Sequence, residues 1–139
     1  MSLLSSETIQ AYRETEYRVL ADPAFVLRIA EASVELLDLY GRFGVSCGAF
    51  VTACNPYSAA LADDDNRERQ AKLERELRSR SLRFLPGIGQ HPSNEWPGEP
   101  SFLILGLNLT AARRLGEQLG QNAIVWAGED GVPQLVLLR

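Results

Sequence analysis

What most constrains this chain is how its strand-like stretches fall between its helices. Apolar runs of strand length come in pairs. One pair is 17–20 with 25–29 across Ala21-Asp22-Pro23-Ala24, and another is 123–126 with 135–138 across Glu129-Asp130-Gly131. Helical periodicity fills the segments between them. Ser5 and Ser6 are caps for a helix over 6–14, with Glu7 in its first turn. Ser33 caps a second helix, in which Leu36, Leu37, Tyr40 and Phe43 share a face and Gly44 is the stop. Asp63-Asp64-Asp65 opens the longest helix, 64–80, with acidic residues at the positive end of its dipole. Thr110 caps a fourth helix, with Ala111, Ala112, Leu115 and Leu119 inward, and Gly120 ends it.

A strand over 48–54, a short one at 82–84 and the apolar run 102–107 complete the order α-β-β-α-β-α-β-β-α-β-β. Helices here separate hairpins and do not alternate strictly with single strands. That order predicts one α+β domain over 1–139: a mixed β-sheet of about six or seven strands packed by three or four helices. A chain of 139 residues can bury enough surface to fold without disulfides or metal. Cys47 and Cys54 lie seven apart and would face opposite sides of a strand, so they are expected to be reduced thiols.

Charge narrows the partners. The net charge of −4 gives no general attraction to nucleic acid or to membranes. The segment 67–83 is the exception, with seven basic and three acidic residues. Within it Glu68, Glu74 and Glu76 each stand four residues before Lys72, Arg78 and Arg80, the favourable orientation for helix ion pairs. That spacing predicts a solvated, self-paired face. The longest apolar run is far short of the ~20 residues of a membrane span, and the N-terminal Met1-Ser2-Leu3-Leu4-Ser5 lacks the pattern of a signal peptide, so a cytoplasmic location is expected.

Two clusters carry candidate chemistry. On the long helix Asn66, Gln70, Leu73 and Leu77 share one face, so amides replace apolar residues at its N-terminal half. The end of strand 48–54, with Asn55 and Ser58, leads into that helix. Converging backbone N–H groups there suit a polar or anionic group, with Arg67 as its fork. The second cluster is the loop 87–100, long for a segment without regular structure. It holds His91, the chain's single histidine, with Glu95, Trp96 and Glu99. His91 and Glu99 are candidates for acid–base work, and Trp96 for stacking on a planar ligand. Gln121-Asn122, between the fourth helix and the next strand, forms a smaller third cluster. One histidine and two separated cysteines build no conventional zinc site, and no phosphate-loop, dinucleotide or nucleophile-elbow motif is present, so no metal or cofactor is expected.

Three stretches stand together in a fixed order: Ala49-Phe50-Val51-Thr52-Ala53-Cys54-Asn55-Pro56, then Leu82-Arg83-Phe84-Leu85-Pro86-Gly87 with Trp96-Pro97-Gly98-Glu99-Pro100-Ser101-Phe102, then Gly120-Gln121-Asn122-Ala123-Ile124-Val125-Trp126. With Asn66-Arg67 opening the long helix, the chain resembles the domain-of-unknown-function family numbered 3293. The resemblance implies a small stand-alone bacterial protein and no particular activity. Its motif residues Asn55, Asn66, Arg67, Glu99, Ser101 and Gln121 coincide with the polar positions picked out above. At Cys54 the chain departs from the family, which often carries an aromatic there.

The residues leave three functional classes. First is a small-ligand site, enzymatic or not, of Asn55, Ser58, Asn66, Arg67 and Gln70 under a lid carrying His91, Trp96 and Glu99, with Ser101 and Gln121 beside it. Second is an interaction module or homodimer joined through the apolar strand 135–138. Nucleic-acid binding through the 67–83 helix ranks third.

Overall fold

The computed structural model describes residues 3–139; Met1 and Ser2, part of the N-terminal segment read above against a signal-peptide pattern, lie outside them. The elements are α1 (Ser6–Glu14), β1 (Glu16–Val19), β2 (Phe25–Leu27), α2 (Val34–Phe43), β3 (Gly48–Val51), α3 (Asp63–Ser79), β4 (Arg83–Gln90), β5 (Glu99–Leu105), α4 (Leu109–Gln118), β6 (Ala123–Ala127) and β7 (Gln134–Leu137). A single 3-10 turn, Pro56–Ser58, follows β3. The α+β class and the element order are those read from the sequence.

One sheet holds all seven strands, in the order β2-β1-β4-β5-β3-β6-β7. Every pairing in it is antiparallel, where a mixed sheet was expected. The reason lies in the crossovers. The helical connection through α3 joins β3 to β4, which run the same way, but β5 is inserted between them. Through α4, β5 reaches β6 with β3 between. Co-directional strands are thus never neighbours. The segment from β3 to β6 has the β-α-β-β-α-β connectivity of a split βαβ unit.

Side chains alternate across the sheet and divide the core in two. On one face α3 and α4 bring Leu73, Leu77, Ala112 and Leu115 onto Ala49, Val51, Phe102, Ile104 and Ile124. On the other, α2 brings Leu36, Leu39 and Tyr40 onto Phe50, Leu103, Leu105 and Val125, with Tyr17, Val19 and Leu27 beside them. Tyr40 crosses from α2 to donate to the Ala127 carbonyl at 3.1 Å. Tyr40→Phe removes that donor and keeps the ring. It is expected to lower stability by about 1 kcal/mol in urea unfolding, without a change in slope.

Helix ends follow simple capping chemistry. Ser5 and Ser33 accept from Thr8 N–H and Leu36 N–H, and Gly44 takes the left-handed stop of α2. The fourth helix begins earlier than expected. Asn108, not Thr110, is its cap, accepting from Ala111 N–H at 2.8 Å.

The larger correction concerns the loop expected over 87–100. Both ends of it are strand: 87–90 belong to β4 and 99–100 to β5. β4 runs through Pro86, Gly87, Ile88, Gly89 and Gln90, with β1 on one side and β5 on the other. Only 91–98 remains as connection. Glycine at 87 serves packing: a Cβ there would lie 2.7 Å from the Arg18 carbonyl and from the Phe50 ring.

No helix among the described residues is long and apolar enough to cross a membrane. Cys47 and Cys54 are free, and burial pushes both thiols up, which makes them poor nucleophiles.

Candidate functional site

A cavity of about 270 Å³ opens on the α2 side of the sheet, beyond the end of α2's own contacts. Its floor is made by residues of one alternation phase: Phe50 and Thr52 from β3, Glu99 and Ser101 from β5, Ala123 and Val125 from β6. Tyr17 of β1 and Gly89 of β4 extend the floor. The absent side chain at Gly89 leaves room beside the ring of Tyr17, which meets Phe50 edge-on at 5.4 Å. Helix α1 covers the opening with Thr8, Ala11 and Tyr12, and the 91–98 connection adds His91, Asn94 and Trp96.

Helix α1 buries none of its residues fully. Polar contacts tie it across the cavity mouth. Tyr17 donates to the Tyr12 carbonyl at 2.6 Å, Tyr12 and Ser58 share a hydroxyl hydrogen bond at 3.1 Å, and His91 meets Glu14 at 3.2 Å. Nδ1 of His91 accepts from the backbone N–H groups of Ser93 and Asn94, so its proton sits on Nε2 and points at Glu14. Both ring nitrogens are engaged in holding the connection to α1.

Among the described residues, Glu99 is the one carboxylate in the wall. Asn55 Nδ2 donates to its Oε2 at 2.6 Å. Burial lifts the Glu99 carboxyl above the ordinary carboxylate range, and hydrogen bonds from Asn55 and Trp96 pull it part of the way back. Asn55 in turn is held rigidly. Its Oδ1 accepts from Leu61 N–H at 2.9 Å and from Asn66 Nδ2 at 2.8 Å, and its own N–H donates to Asn66 Oδ1 at 2.9 Å. Asn55, Tyr57 and Ser58 all have left-handed backbone, with φ of 47°, 56° and 59°. Non-glycine residues in that region cost of order 1–3 kcal/mol each. The amide network and the bond from Tyr57 N–H to the Gly120 carbonyl, 2.7 Å, hold the turn in place.

The structure therefore brings Asn55, Ser58, His91, Trp96, Glu99, Ser101 and Gln121 to one cavity. Asn66 stands behind it, holding Asn55. Gln70 also stands behind, accepting from Ala53 N–H at 3.0 Å, with its Nε2 buried and unpartnered. Arg67 is elsewhere: its exposed guanidinium pairs with Asp64 at 2.7 Å. The arginine that acts on the site's frame is Arg69. It donates to the Ala53 carbonyl at 2.6 Å and to the Leu119 carbonyl at 2.7 Å, and so ties the end of β3 to the end of α4. The signal was present, since Arg69 lies three residues after Asn66 and shares its helical face. Tyr12, Tyr17, Phe50 and Thr52 were read from sequence as helix, core or strand residues, with no sign that a cavity stood over them.

On the rest of α3, Arg78 and Arg80 pair with Glu74 and Glu76 as expected, while Glu68 is taken by Arg75 and not Lys72. Among the described residues no three His, Cys, Asp or Glu side chains are grouped to hold a metal ion.

A family model described as a protein of unknown function, DUF3293, matches residues 51–124, just over half of the chain. The matched span contains Asn55, Ser58, Asn66, Glu99, Ser101 and Gln121, the polar half of the cavity with its support. Tyr17 and Phe50 of the apolar floor, and the covering helix α1, lie before it. No curated protein and no solved structure matches the chain.

Proposed function

Since the chain belongs to the family of proteins of unknown function DUF3293, its role has to be read from this site, and we propose that the cavity binds a small ligand that donates a hydrogen bond to Glu99. One observation carries the reading: a chain of amides, Asn66 to Asn55 to Glu99, fixes a carboxyl group inside a pocket floored by the aromatic rings of Tyr17 and Phe50. Small-molecule sites are mostly apolar concavities with a few placed polar groups, and this cavity is just under their usual ~300–1,000 Å³. Among the described residues, none that lines it is lysine or arginine. The anionic ligand expected around Arg67 therefore gives way to a neutral or cationic one.

A thermal-shift screen of amines, amides and nucleosides tests the proposal, with Ala11→Phe alongside to fill the cavity from α1. A ligand at 100 times its Kd stabilises by about 2.7 kcal/mol, roughly 5–11 °C for a domain of this size. The shift should vanish in Ala11→Phe; a shift that survives places binding elsewhere.

Glu99 also makes a prediction without any ligand. In the unfolded chain its carboxyl titrates in the ordinary range, and in the folded protein it titrates higher. The native state thus keeps a proton that the unfolded chain has lost, and stability falls as pH rises between the two values. The titratable neighbours Tyr17 and Cys54 are themselves raised by burial and stay neutral there. Glu99→Gln should melt above the wild type at pH 8 and together with it at pH 3. A variant that melts lower at pH 8 would contradict a costly carboxylate.

A second reading rests on β7, which forms one edge of the sheet and pairs only with β6. An edge strand can add a second copy of the chain. Sedimentation as a monomer at millimolar concentration would dismiss it.

A further inference from the structure

Four of the hydroxyl groups around the cavity have already used their protons. Thr15 donates to the Ala11 carbonyl at 2.7 Å, Thr52 to the Pro100 carbonyl at 2.7 Å, Ser101 to the Glu99 carbonyl at 3.0 Å and Tyr17 to the Tyr12 carbonyl at 2.6 Å. One proton of each of the nearest amides is engaged too: Asn55 Nδ2 bonds Glu99, and Gln121 Nε2 bonds the Cys54 carbonyl at 3.1 Å. What each of these four hydroxyls has left to offer is an oxygen lone pair. The wall is thereby rich in acceptors, and its single carboxylate is the strongest of them.

A ligand suited to this wall brings several N–H donors from one atom and a positive charge. Resting on the reading that the cavity is a ligand site, we infer that it takes a primary ammonium group carried on a small apolar body. The ammonium sits against Glu99 with the oxygens of Ser101 and Thr52 near it. A carboxylate with one ammonium partner forms a short, charge-assisted hydrogen bond, about twice as strong as a neutral one. The cation also relieves Glu99 of the cost of standing charged in a half-buried wall. Tyr17, Phe50 and Trp96 supply aromatic surface for the body, and their faces attract a cation that approaches them. The absence of lysine and arginine from the lining removes the repulsion such a group would otherwise meet.

Three probes of one shape decide the matter: benzylamine, benzyl alcohol and benzoate, each titrated calorimetrically into the whole protein at pH 7.5. Benzylamine is expected to bind about tenfold or more tightly than benzyl alcohol, with benzoate weakest, a tenfold step being about 1.4 kcal/mol. Glu99→Gln should bring the amine down to the level of the alcohol. Ser101→Ala, which removes one acceptor and leaves the carboxylate, should weaken the amine severalfold while the alcohol changes less. Equal binding of amine and alcohol, or tightest binding of benzoate, overturns the ammonium inference and leaves the pocket standing. If none of the three binds at millimolar concentration while the amine-free members of the screen do, the ammonium inference falls alone. If nothing in either experiment binds, both readings fall.

Discussion

Replacement of Phe50 by alanine is expected to cost about 3–5 kcal/mol, a drop of roughly 10 °C or more in melting temperature. Phe50 lies between the two halves of the α2-side layer. Its ring meets Tyr17 edge-on, packs in one cluster with Leu103 and Val125, and forms the floor of the cavity. Truncation loses the transfer energy of a buried ring and joins the new void to an existing one. Neighbours that already border empty space have little to collapse with, so relaxation recovers little. Calorimetric melting of Phe50→Ala beside Phe50→Leu measures this. Leucine restores most of the volume and should recover most of the loss. A loss under 1 kcal/mol for alanine would mean that the ring is not a support of the sheet.

Substitution at Gly87 should be of comparable size, although only one methyl group is added. In Gly87→Ala the new Cβ would stand 2.7 Å from a backbone carbonyl on β1 and from the Phe50 ring. The ring can tilt, but the Arg18 carbonyl belongs to a paired strand and moves only with the sheet. Overpacking of this kind costs about 1–3 kcal/mol, and backbone opposition places this site at the upper end. Because Gly87 and Phe50 are in contact, the two changes should not add. Gly87→Ala in a Phe50→Leu background should cost less than in the wild type, as a double-mutant cycle would show. Strict additivity would mean that the carbonyl alone opposes the methyl.

The same two residues explain what could be read from the sequence. Helices α1, α2 and α4 were legible because each carries a side-chain cap and apolar residues at helical spacing, and α3 because acidic residues open it and Leu73 and Leu77 share one face. Strands β1, β2, β3 and β5 to β7 were legible from local runs of branched and aromatic residues. The second half of β4 was not, because Pro86, Gly87 and Gly89 are turn formers by local propensity. Their strand state is imposed from outside, by β1 and β5 on either side and by a ring some forty positions earlier in the chain. The site divides in the same manner. Asn55 could be found as a polar residue at a strand end, Glu99 as a carboxylate of the 87–100 segment, and Ser101 through the resemblance to the family. Arg67 was preferred to Arg69 because a residue type was weighed without its rotation about the helix axis. The cavity itself had no local signal: Tyr17 and Phe50 look like any core aromatics, and the gap above them exists only because α1 arches over it.

The insertion of β5 between β3 and β4 has a consequence for the chain as it is made. When α3 and β4 emerge from the ribosome, β3 and β4 have no ladder with each other to form, since β5 is the only strand that joins them. At about 5–20 residues per second, β3 waits some seconds for its central partner. Until then the nascent chain displays the open edges of β3 and, once they are made, the apolar face of α3 and the open edge of β4. Release before residue 99 would leave a sheet without its middle, a form prone to recruit strands from other chains, whereas release just past β5 lets the centre of the sheet close.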